Sequence, residues 1–98
     1  MVERAALDAL TDRKKQPLFD ADPRTVRVSL DAGGEIAEHS HPEADILFFV
    51  VEGSLELGLD EETYDLAGGE MVRFDGSRTI SGTASEPTTA VVVLAEKR

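Results

Sequence analysis

Cysteine is absent from the 98 residues, so no disulfide, thiolate nucleophile or thiolate zinc site can form. No apolar run approaches the roughly 18–20 residues of a membrane-spanning helix. The opening residues Met1, Val2, Glu3 and Arg4 lack the apolar stretch of a secretory leader. A cytoplasmic protein is the expectation from both. No phosphate-cradling loop, dinucleotide fingerprint, calcium loop or Gly-x-Ser-x-Gly elbow occurs. Lysine is confined to Lys14, Lys15 and Lys97, and histidine to His39 and His41.

Negative charge is what the chain has in excess. Its 20 Asp and Glu against 10 Lys and Arg give a formal charge of -10. Such a surface repels phosphate backbones, which argues against a nucleic-acid partner. High acidity with scarce lysine suits concentrated salt, where screening relieves self-repulsion, so a halophilic host is a further expectation. Hydrophobic residues are 41% of the chain, an ordinary share for one small domain.

Two periods divide the chain. Residues 2–15 hold Val2, Ala5, Ala6, Leu7, Ala9 and Leu10 among charges, with no Gly or Pro. That pattern predicts a short helix ended by Gln16 and Pro17. The segment is too short and too mixed to be a membrane anchor. From Thr25 the period becomes two: Val26, Val28 and Leu30, then Leu55, Leu57 and Leu59, then Val72 and Phe74 alternate with polar neighbours. Turn signals recur at Ala32-Gly33-Gly34, Glu52-Gly53, Asp60-Glu61-Glu62, Ala67-Gly68-Gly69 and Asp75-Gly76-Ser77. The reading is a helix and lead-in over 1–23, then an all-β domain over 24–98. About seven or eight antiparallel strands are expected between 24 and 95, as a sandwich or barrel.

Two runs are apolar at every position, Ile46–Val51 and Ala90–Leu94. One face can fill the interior, and the other needs the N-terminal segment, a second sheet or another subunit. A homodimer is therefore expected. The chemistry-bearing residues lie close together, in Gly33-Gly34-Glu35-Ile36-Ala37-Glu38-His39-Ser40-His41-Pro42-Glu43. Two apart on an extended segment, His39 and His41 face the same way and can reach one metal ion, with Ser40 on the other face.

The stretch resembles the first motif of the small single-domain cupins, over roughly residues 24–95. That motif runs Gly, five residues, His-x-His, three or four residues, Glu, six residues, Gly. Here Gly33, His39, His41 and Gly53 fall in place, and a second motif would start at Gly69. The resemblance implies a jelly-roll β-barrel, in which the family's metal sites generally use three histidines and one glutamate. The departures are specific. Ile46 stands at the glutamate position and Ile80 at the second-motif histidine, while Asp75, Ser77 and Ala84 replace its Pro, Gly and Asn.

Asp45, through a one-residue shift of the motif, or Glu43, in the turn, could supply a third ligand for a Zn, Fe, Mn or Ni ion. Glu35 shares alternation parity with His39 but lies about 13 Å along the strand, out of reach. Otherwise Ile46, Phe48 and Ile80 line an apolar pocket beside two histidines. Arg73 and Tyr64 could line the barrel and bind a carboxylate or a sugar, but the outer face is the favoured reading, because Arg73 alternates with inward Val72 and Phe74. Three function classes follow. The first is a metal-independent or weakly metal-binding module for a small molecule, or a structural dimer. The second is a metal-dependent dioxygenase, isomerase or decarboxylase using His39 and His41. The third is an accessory module acting through a protein partner.

Overall fold

Each alternating run has one apolar face to bury and one polar face to leave in water, and each folds as a strand. In the computed structural model, residues 2–7, 14–19 and 21–97 are described. Among them the strands are β1 (Lys15–Pro17), β2 (Arg24–Leu30), β3 (Glu35–His39), β4 (Ala44–Glu52) and β5 (Ser54–Leu59). β6 (Glu62–Ala67), β7 (Met71–Asp75), β8 (Ile80–Ala84) and β9 (Thr88–Glu96) complete the set. One sheet has the order β1-β2-β9-β4-β7 and the other β3-β8-β5-β6, with every pairing antiparallel. Two such sheets packed face to face form a jelly roll. Strands β2 to β9 fill the span in which seven or eight were expected.

The core lies between the sheets. Val28 and Leu30 on β2, Phe74 on β7 and Ala90 on β9 meet Leu55, Leu57 and Leu59 from β5. Strand β4, apolar on both faces, takes one register only. Ile46, Phe48 and Val50 are 1%, 3% and 0% exposed, whereas Leu47 is 37% exposed on the outer face. Every reading that needs Asp45 beside the inward residues requires the opposite alternation.

The N-terminal expectation needs correction. Residues 2–6 carry no regular structure, and Lys15–Pro17 is a strand, paired Lys15 to Val28 and Pro17 to Val26. The middle of the expected helix, residues 8–13, lies outside the described residues. Helical preference is a weak prior, and pairing with the open edge of β2 overrides it. Pro17 is tolerated there because an edge strand has one side free of ladder bonds.

Gly53 closes the β4–β5 hairpin with φ +100°. A Cβ there would stand 2.5 Å from the Pro87 carbonyl and from the Thr88 hydroxyl, so only glycine fits. Thr88 is itself buried and ties that turn. Its hydroxyl accepts from the Ser54 N–H at 3.1 Å and lies 2.8 Å from the Glu86 carbonyl. No helix among the described residues is long and apolar enough to cross a membrane.

Candidate functional site

The site begins with a fault in β3. Glu35 pairs with Thr83 and Ile36 with Gly82, but His39 pairs with Ile80, one residue out of step. An extra residue between Ile36 and His39 is a β-bulge, which reverses the alternation beyond it. Ile36 and His39, three apart, therefore face the same interior, while Ala37 and Glu38 are both exposed. The same bulge separates Glu35 from His39, so the shared parity expected of them does not hold. The Ala37 carbonyl at the bulge lies 2.7 Å from His39 Nδ1. A carbonyl only accepts, so Nδ1 carries the proton and Nε2 is left as the free lone pair.

His41 is placed by a second device. Its N–H donates to the Gly76 carbonyl at 2.6 Å, and the Gly76 N–H donates to the Ala44 carbonyl at 2.9 Å. The turn after His41 is thus bonded to the β7–β8 turn. A Cβ on Gly76 would sit 2.5 Å from the Ala44 carbonyl, so the approach needs glycine. The two imidazoles meet edge to face with centroids 4.8 Å apart. Burial holds the His41 pKa below its usual value, and the positive fields of His39, Arg24 and Lys15 push in the same direction. The neutral imidazole is the favoured form.

Both histidines stand at the mouth of a cavity of about 230 Å³ between the sheets. Its depth is apolar, with Ile46, Phe48 and Phe74 from one sheet and Ile36 and Ile80 from the other. The sequence reasoning named Ile46, Phe48, Ile80 and both histidines, and the structure brings all five to this one space. It did not name Lys15 and Arg24, which also line the mouth. Arg24 pairs with Leu94 and shares the inward parity of Val26 and Val28, while Lys15 sits opposite Val28. Their signal was the alternation in β2 carried back to residue 24, and it was obscured by the helical reading of the preceding segment.

The carboxylates considered as ligands do not join the imidazoles. Asp45 pairs with Arg73 across the outer face at 3.4 Å, and Glu43 is exposed and absent from the cavity wall. Among the described residues no three His, Asp or Glu side chains are grouped to hold a metal. Two imidazoles are fewer donors than the three protein ligands of an open zinc centre or the facial triad of an iron one. The donor set does not fit a resident transition metal of that kind. Arg73 lies on the outer face as the alternation predicts, and Tyr64 is 37% exposed.

The family model for the cupin domain matches residues 26–94. Among solved structures, a protein from Thermus thermophilus is 22% identical with a TM-score of 0.83, over 99% of this chain and 100% of that one. An RmlC-like cupin from Desulfovibrio desulfuricans is 20% identical with a TM-score of 0.83, over 97% and 96%. A conserved protein of unknown function from Streptococcus pyogenes is 26% identical with a TM-score of 0.77, over 86% and 74%. No curated protein matches the chain.

Proposed function

The chain belongs to the cupin family, and on that premise we propose a binding module whose barrel takes a small, mainly apolar molecule without a three- or four-ligand metal centre. The observation that carries this reading is the cavity of about 230 Å³, walled by Ile46 and Ile80 where the family resemblance puts glutamate and histidine. Apolar walls with a few polar groups at one end are the usual make-up of a small-molecule site. Pockets for drug-sized ligands run to roughly 300–1,000 Å³, so the volume favours a smaller molecule.

Metal content of untagged protein purified without chelator tests the proposal, beside the His39→Ala, His41→Ala double variant. The expected result is no near-stoichiometric metal in either protein after loading with Zn, Ni, Mn and Fe(II). Near-stoichiometric metal that vanishes in the variant would overturn it. The second reading would then lead: a metal-dependent dioxygenase, isomerase or decarboxylase. The convergence of the two imidazoles, centroids 4.8 Å apart, is the observation in its favour.

The proposal includes self-association through the outer face of the five-stranded sheet. Leu47 pairs with Val93, and Phe49 lies between Val91 and Met71 on the neighbouring strands. Met71 is 57% exposed there. A contiguous apolar patch of this kind is stabilised by covering it, and a second copy presents the same patch.

A further inference from the structure

The charge of the cavity mouth runs against that of the whole protein. The chain carries 20 carboxylates and 10 basic side chains. Yet among the described residues no Asp or Glu lines the cavity, and its polar lining is Lys15, Arg24, His39 and His41. Every polar side chain at the mouth is a nitrogen base. Three of the cations elsewhere are neutralised: Arg78 by Asp60 and Glu62, Arg73 by Asp45, and Lys97 by Asp75. Neither Lys15 nor Arg24 makes an ion pair with another described residue.

Topology places both cations on the wall of the one cavity. Pairing of β1 with β2 places Lys15 opposite Val28, and pairing of β2 with β9 places Arg24 opposite Leu94, whose side chain is part of the cavity wall. Both positive fields reach His41, where they help hold the imidazole neutral. A ligand group that settles among them must accept hydrogen bonds and carry negative charge. An ammonium would meet two like charges, and a hydroxyl would leave both uncompensated.

We propose that the ligand is a small amphipathic carboxylate, its apolar body against Ile46, Phe48, Phe74 and Ile80 and its carboxylate held by Arg24 and Lys15. The proposal rests on the reading of the cavity as a small-molecule site. A volume of about 230 Å³ equals that of roughly eight waters at ~30 Å³ each, which suits an acid the size of hexanoate or benzoate. Arg24 offers a planar fork that matches a carboxylate in two parallel hydrogen bonds. In an acidic protein the local positive mouth also keeps the entering anion from being turned away.

Isothermal titration of the whole chain with hexanoate, benzoate, hexan-1-ol and hexylamine, at fixed low ionic strength, tests this. The acids should bind at least about tenfold more tightly than the alcohol, and the amine should not bind. Arg24→Gln should weaken hexanoate about tenfold and leave hexanol unchanged. Arg73→Gln removes the same charge from the outer face and should change neither. If hexanol binds as well as hexanoate, or Arg73→Gln weakens hexanoate as much as Arg24→Gln, the carboxylate assignment fails while the cavity remains a small-molecule site. If neither acid nor alcohol binds at millimolar concentration, both the assignment and the reading of the cavity fail. Ile80→Phe, which fills the space, should abolish binding of the acid. Retained binding in that variant places the ligand elsewhere and overturns the proposal.

Discussion

Ile46→Ala and Leu57→Ala delete the same three carbons from side chains that are 1% and 0% exposed, so area alone predicts equal damage. At about 0.8 kcal/mol per buried CH₂, the transfer cost is about 2.4 kcal/mol for each. The void left behind should separate them. Leu57 lies in the closed core, away from the cavity wall, and its removal should fall toward the upper part of the roughly 2.7–5 kcal/mol known for Leu→Ala changes. Ile46 already faces the cavity of about 230 Å³. Its loss enlarges a space that exists and forfeits fewer contacts, so its cost should stay near the transfer cost of about 2.4 kcal/mol. A gap of about 1.5 kcal/mol follows, or about 6–12 °C in Tm for a domain of this size. Equilibrium urea unfolding followed by far-UV circular dichroism measures it, since the chain has no tryptophan to report. The slope against urea should be common to both variants and the parent. An Ile46→Ala cost equal to or above that of Leu57→Ala would refute the reasoning, because it would mean the space beside Ile46 is closed in solution.

Three further outcomes are expected. Thr88→Val keeps the shape of the buried side chain but leaves the half-buried Ser54 N–H without its acceptor, and should cost about 1 kcal/mol or more in the same unfolding experiment. The Asp75 carboxyl is held well below its usual range by hydrogen bonds from Lys97 and from the Ser77 N–H, and that of Asp60 is lowered by Arg78 and the Thr79 N–H. A folded pKa below the unfolded value of about 3.9 stabilises the protein above that value, and the contribution is lost as pH falls below it. Asp75→Asn should therefore flatten part of the acid-side decline measured by unfolding between pH 5 and 2. Phe49→Asp, at the centre of the outer apolar patch, should convert a dimer of the parent into a monomer in sedimentation velocity. A parent that sediments as a monomer at every concentration would remove self-association from the proposal.

Much of the fold is local and was legible without coordinates. The alternation of Val26, Val28 and Leu30, and of Leu55, Leu57 and Leu59, fixes which side of each strand is buried, because the side-chain period of a strand is two. Turn signals at Gly33, Gly53, Gly69 and Gly76 mark the points where the chain reverses or approaches itself closely. The histidine pair was legible for the same reason: two residues apart on extended chain, both side chains face one way.

What the sequence could not show depends on partners distant along the chain. The bulge between Ile36 and His39 carries no glycine or other mark, and exists only as a mismatch with β8. Without it His39 would face outward from the same strand that buries Ile36. The register of β4 was undetermined because both faces of Ile46–Val51 are apolar. Packing of the second sheet on Ile46, Phe48 and Val50 decided it, leaving Asp45 outside with Arg73. Residues 2–15 looked helical on composition, yet Lys15–Pro17 pairs with β2 and delivers Lys15 to the cavity wall, which Arg24 also lines. Alternation, charge and turn residues are properties of neighbours in sequence and determined the barrel. The identity of the groups around the cavity is a property of strand pairing, and only the tertiary structure decided it.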